Sequence, residues 1–157
     1  MMQRWALVLI SVVTVLDQIT KQIMIILVFE PSRVIKVTSF FNLVPVHNTG
    51  ISFGLFGANT EPARWALIAV SVVIMIALLI WLFRAGSAYI TAALVLVIGG
   101  AASNVIDRVF AGAVIDFLDF HVYSVHWPAF NLADSVIVLG TAMLLYDGLF
   151  GPSRALR

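Results

Sequence analysis

The chain has 157 residues; 62% are hydrophobic, only 11% are charged, and the net charge is +1. A soluble domain of this size carries about 25% charged residues, so the composition excludes a soluble fold, and so small a net charge argues against a nucleic-acid partner. Cysteine is absent, which removes disulfides, thiolate metal sites and a cysteine nucleophile.

The expected class is a mostly α membrane protein. Four transmembrane helices carry a small β-sheet and an interfacial loop on one membrane face, in a single integral membrane domain over residues 1–157. The first span is Trp5–Val28. Arg4 before an apolar run is also how a signal peptide starts, but the run is too long and no small-residue cleavage site closes it, so it reads as a retained helix. At about 1.5 Å per residue it covers about 36 Å, enough to cross with some tilt. Asp17 and Lys21 interrupt it at i and i+4 and share a face. They read either as a self-neutralising pair that snorkels to the far interface or as a polar lining aimed at a site there.

Residues 30–60 are not helical in pattern. Pro31 breaks the chain, and residues 33–41 are rich in β-branched and aromatic side chains, which predicts a strand. Residues 41–46 continue in that style. His47-Asn48-Thr49-Gly50 and Phe53-Gly-Leu-Phe-Gly57 follow as a glycine-punctuated loop whose aromatics dip into the interface. Thr60 before Pro62 predicts a helix start, and residues 65–83 form the second span. Arg84 to Ser87 is a tight turn. The third span runs from residue 89 to about 106, with small residues at 99–103 that let backbones approach closely in lipid. Residues 111–127 form a loop with a strand-like Val114–Val122. Asn131 predicts the N-cap of the fourth span, with Asp134 one turn in, and that span runs to about Phe150.

Four spans put both termini on one side. Arg4, Arg84, Arg154 and Arg157 fall there, and Lys21, Arg33, Lys36, Arg64 and Arg108 fall on the other, which leaves the positive-inside count undecided. All acids but Asp147 lie on or towards the second side.

Residues 104–134 are the centre of the pattern. They hold Asp107, Asp116, Asp119 and Asp134, half of the chain's eight acids, between two stretches without charge. Each ionised group near lipid costs roughly 2.5–3.5 kcal/mol on insertion scales, so such a cluster needs a reason. Two carboxylates at one depth can work as an aspartic-protease pair, one taking a proton from water and the other protonating the substrate carbonyl. The bland alternative is a set of buried salt bridges, for example Asp107 with Arg108. Gly50-Ile-Ser52-Phe-Gly54 matches the nucleophile-elbow pattern, but that motif needs a parallel α/β sheet for which this chain has no room. A Ser–His dyad using His121 or His126, a Mg²⁺ site on the aspartates, and a transporter with Asp17, Asp116 and Asp134 as a proton relay are the other readings. The transporter would need polar residues through the full membrane depth, and the far halves of the spans lack them.

Five motifs in order carry a resemblance over nearly the whole chain. They are Asp17-Gln-Ile-Thr-Lys21, Asn48-Thr-Gly-Ile-Ser-Phe53, Asn104-Val-Ile-Asp107-Arg108, Val114-Ile-Asp116-Phe-Leu-Asp-Phe120 and Phe130-Asn131-Leu-Ala-Asp134-Ser135. Together they closely resemble the lipoprotein signal peptidase (signal peptidase II) family, bacterial membrane aspartyl endopeptidases. The resemblance implies four spans, a periplasmic β-cradle and a catalytic pair matching Asp116 and Asp134. It implies substrate-binding roles for Asp17, Lys21, Asn48, Gly50, Asn104, Arg108 and Asn131, with no metal or organic cofactor. Implied partners are lipid-modified prolipoproteins, cleaved just before the lipidated cysteine, and membrane lipids; a monomer in the bacterial inner membrane, its site towards the extracytoplasmic face, is expected. Ser103 stands where the family commonly has Gly, and Ser52 where it commonly has Ala.

Overall fold

The computed structural model describes residues 2–50 and 60–151. Among the described residues four helices are long and apolar enough to cross a membrane: α1 (Met2–Val28), α2 (Glu61–Arg84), α3 (Ala88–Phe110) and α4 (Leu132–Phe150). Between them lie β1 (Ile35–Lys36), β2 (Phe41–Asn48), β3 (Val114–Val122) and β4 (Val125–His126). The nucleophile-elbow residues Ser52 and Gly54, the loop aromatics Phe53 and Phe56, Gly57, and the tail arginines Arg154 and Arg157 lie outside the described residues.

Local chemistry sets the helix starts. Thr60 caps α2 by accepting from the Ala63 N–H at 3.4 Å, with Pro62 in the first turn. Asn131 caps α4 in a reciprocal capping box with Asp134. Helix α3 runs further than the sequence predicts, to Phe110, because its polar last turns find partners inside the protein. It stops at Ala111, after which Gly112 takes φ +81.

Helix α3 is the central one and packs on the other three. Two glycines allow the closest approaches. A Cβ on Gly100 would lie 2.6 Å from the Ala133 carbonyl oxygen, and one on Gly140 would lie 2.6 Å from that of Ala93. Helices α3 and α4 thus cross backbone to backbone, as small residues permit in lipid. One end of the bundle is an apolar core of Ala6, Leu82, Ala85, Ile90, Leu94, Val95 and Ile98. The outer faces of α1, α2 and α4 leave large apolar side chains such as Val73, Val138 and Leu145 uncovered, as lipid-facing surfaces do.

At the other end the strands form one antiparallel sheet in the order β1-β2-β3-β4. The register of β2 on β3 shifts between Leu43 and Val46. Pro45, which has no N–H to give to a ladder, sits in that irregularity. The strand expected over 33–41 is only Ile35–Lys36. The chain reverses at once, with Val37 and Thr38 both donating to the Phe41 carbonyl and the Thr38 hydroxyl accepting from the Phe40 N–H, so the β-branched run is spent on a turn.

Candidate active site

The polar residues of α1, α3, α4 and the sheet meet at one end of the bundle. Asp116, in the middle of β3, is wholly buried. Its two carboxylate oxygens accept from the Asn48 amide at 2.8 Å and the Asn131 amide at 2.7 Å. Asp134, at the third position of α4, accepts from the Asn104 amide at 2.8 Å and from the Asn131 backbone N–H at 3.3 Å. Asn131 is therefore both a helix cap and the bridge between the carboxylates. Its side-chain oxygen takes the Asp134 N–H at 2.8 Å while its amide nitrogen holds Asp116. The cap that local sequence dictates delivers Asp134 to the place where β3 delivers Asp116.

Burial pushes the Asp116 carboxyl up to about 6. The Asn48 amide opposes this, the neighbouring Asp134 carboxylate adds to it, and Asn131 and Lys21 oppose it more weakly. Asp119, three residues along the same strand, goes the other way. Burial would raise it, but the Asn42 amide at 2.8 Å and the His126 imidazole at 2.8 Å outweigh burial and hold it below the usual carboxylate range. The structure does not bring Asp119 to Asp134. In an extended strand, residues three apart face opposite sides, and Asp119 is spent on tying β2, β3 and β4 together.

Asp17 and Lys21 do not snorkel. Both side chains have zero exposure, 2.7 Å apart, and Lys21 also pairs with Asp107 at 2.7 Å and donates to Asn104 at 2.9 Å. They stand behind the carboxylates, where Lys21 orients Asn104 and Asp17 accepts the Ala133 N–H at 2.7 Å, one residue before Asp134. The alternative pairing of Asp107 with Arg108 is not formed among the described residues; Asp107 pairs with Lys21 instead, and consecutive residues on a helix do not face each other.

Arg108 is partly buried. It donates to the Asn104 carbonyl at 3.3 Å, and its Nε is buried without a partner among the described residues. Gly50 lies against it at φ +82, where a Cβ would come within 3.1 Å of Nη2. A glycine is needed there both for the left-handed backbone and for the passage of the guanidinium. A cleft of about 360 Å³ opens beside this strand end, lined by His47, Thr49, Arg64 and Gly112 among others. His121 and His126 stack at 4.8 Å on the far part of the sheet. Among the described residues no three histidine or acidic side chains converge to hold a metal ion.

Sequence reasoning gave no role to Gln18 or Ser103. Gln18 donates to Asp107 at 2.7 Å and to the Ser103 hydroxyl at 2.9 Å, and that hydroxyl donates to Asp17 at 2.6 Å. The small residue at 103 and the glutamine beside Asp17 were visible, but their pairing needs the packing of α1 on α3.

Four spans roofed by a small antiparallel sheet, with a sealed polar cluster beneath it, are the architecture of a bacterial membrane enzyme. Two solved structures of that description superpose on the chain, one with TM-score 0.76 over 94% of each chain and one with TM-score 0.73 over 97% of this chain and 94% of the other, both at 25% identity. The family model for signal peptidase (SPase) II matches residues 9–150. Lipoprotein signal peptidases from Beijerinckia indica subsp. indica, Burkholderia thailandensis and Paraburkholderia phytofirmans are 44%, 43% and 45% identical, over 85%, 89% and 88% of this chain and 80%, 85% and 80% of their own lengths. The chain belongs to the signal peptidase II family of proteases. That membership does not favour the transporter reading.

Proposed function

We propose that the chain, as one monomeric peptidase domain in the bacterial inner membrane, removes the signal peptide from diacylglyceryl-modified prolipoproteins by cutting before the lipidated cysteine. Asp116 and Asp134 are the reacting pair. The observation that carries this is the double use of Asn131, whose side-chain amide donates to the Asp116 carboxylate and whose backbone N–H donates to that of Asp134, at one end of a four-span bundle in a member of a protease family.

The chemistry follows from the two environments. Asp116, raised to about 6, gives its proton to the scissile carbonyl oxygen while Asp134 takes a proton from the attacking water. The tetrahedral diol then collapses. The leaving nitrogen receives the proton held by Asp134, and Asp116 recovers one from a diol hydroxyl, so both carboxyls return to their starting state. Arg108, with donors to spare, and Asn48 hold the substrate's backbone carbonyls. The substrate's acyl chains stay in the bilayer beside the site, which faces the extracytoplasmic side. Asp17 and Lys21 act from behind, by fixing Asn104 and the start of α4.

The test is incubation of the purified protein with a lipidated prolipoprotein, read by mass. A product shortened at the bond before the lipidated cysteine is expected, from wild type and from Ser52→Ala, and none from Asp116→Asn or Asp134→Asn. An active Asp116→Asn beside an inactive Ser52→Ala would replace the aspartate mechanism with a serine one.

A further inference from the structure

Asp107 is a buried carboxylate, 4% exposed, that the reaction above does not use. One of its oxygens accepts from Lys21 at 2.7 Å and from the backbone N–H of Ile115 at 3.2 Å; the other accepts from Gln18 at 2.7 Å. Ile115 is the residue before Asp116, and its carbonyl accepts from the Asn131 amide at 3.4 Å. The backbone that leads into Asp116 is therefore pinned from one side by α3 and from the other by the cap of α4.

The same carboxylate reaches the other aspartate. By sharing Lys21, Asp107 fixes the ammonium where it also holds the Asn104 oxygen at 2.9 Å, and the Asn104 amide donates to Asp134 at 2.8 Å. The contacts close into a ring. Gln18 runs from Asp107 to the Ser103 hydroxyl, Ser103 donates to Asp17, and Asp17 both pairs with Lys21 and accepts the Ala133 N–H beside Asp134. Asp17, Lys21 and Ser103 have zero exposure, so bulk solvent does not reach these contacts.

Resting on the aspartate-pair reading, we propose that Asp107 is a positioning residue for peptide cleavage. It sets the separation of Asp116 and Asp134 through Ile115 on one side and Lys21–Asn104 on the other, and the Gln18–Ser103 bridge sets its own orientation. Misplacement of reacting groups by about 1 Å costs on the order of 100-fold in rate, which makes a single carboxylate linked to both aspartates a sensitive control.

The experiment measures cleavage of a lipidated prolipoprotein by the purified full chain in Asp107→Ala, Asp107→Asn and Ser103→Ala, with Asp116→Asn as reference and thermal unfolding of each recorded. Asp107→Ala should lose on the order of 100-fold in kcat with KM within about twofold of wild type, the pattern of a lost transition-state arrangement. Asp107→Asn should recover about tenfold of that, because an amide oxygen still accepts the Ile115 N–H. Ser103→Ala, which removes only a hydroxyl, should lower kcat several-fold, again at unchanged KM. Should Asp107→Ala fail to fold, the other two variants carry the test. Wild-type kcat in the folded variants, a rise in KM alone, or a loss that vanishes once each is assayed well below its own unfolding temperature would overturn the proposal. Cleavage by Asp116→Asn would instead remove the catalytic reading on which it rests.

Discussion

Asp116 and Asp119 sit three residues apart on β3, both buried, each accepting an amide from β2, Asn48 for one and Asn42 for the other. Their last partners differ. Asp116 is set near a second carboxylate, Asp134, and is pushed up to about 6 by burial and then by that neighbour. Asp119 is set against an imidazole, His126, and stays below the usual range. On the proposed mechanism an identical side chain on one strand becomes a reactive acid or a fastening, according to which way the pleat turns it. A carboxyl kept from ionising easily can carry a proton to substrate; one fixed as an anion can only hold a sheet together.

The largest difference should appear in cleavage. Asp116→Asn should abolish product formation, whereas Asp119→Asn should keep activity measurable in the same prolipoprotein assay. Complete loss in Asp119→Asn would show that the sheet fastening and the reacting pair are not separable.

The next effect in size concerns the support behind Asp116, which Asp119 lacks. Lys21→Met would leave Asp17 and Asp107 buried without their cation, and breaking such a pair costs about 3–5 kcal/mol. Thermal unfolding in detergent should show a large drop, while a stability near wild type would mean that the bundle does not depend on this buried pairing. His126→Ala, at the Asp119 end, should cost less than about 1 kcal/mol, because His126 is half exposed and exposed pairs are weak. Asp119 should then titrate higher than in wild type, since His126 is among the groups that lower it.

Removing the β2 amides sharpens the comparison further. Asn48→Ala takes away the strongest influence holding Asp116 down, so its carboxyl should titrate above about 6. The infrared carboxyl band measures this directly, and a downward move would mean that water had entered and undone the burial.

Much of this arrangement was legible in the sequence where its cause is local. The four spans follow from apolar length. Val114–Val122 follows from β-branched and aromatic content, and the Asn131 cap from residue type three positions before Asp134. The separation of Asp116 from Asp119 follows from the period of an extended strand. What was not legible depends on packing. The burial of Asp17 and Lys21 depends on α1 lying against α3, where Asp107 and Asn104 share the ammonium. For the same reason Asp107 could be paired in thought with its neighbour Arg108, although the helix points them apart. The shortness of β1 depends on one turn at Thr38 that competes with a sequence otherwise suited to a strand. The five motifs named the participants, and only the fold showed which of them face each other.

The central claim is that Asp116 and Asp134 act as a pair, and the most direct measurement is the titration of Asp116 with its neighbour present and absent. In the wild-type protein the infrared carboxyl band assigned to Asp116, identified by its loss in Asp116→Asn, should titrate at about pH 6. In Asp134→Asn the like charge that raises it is gone, so the midpoint should fall while the band remains. A midpoint that stays where it was would show that the two carboxyls do not feel each other, and would contradict the account.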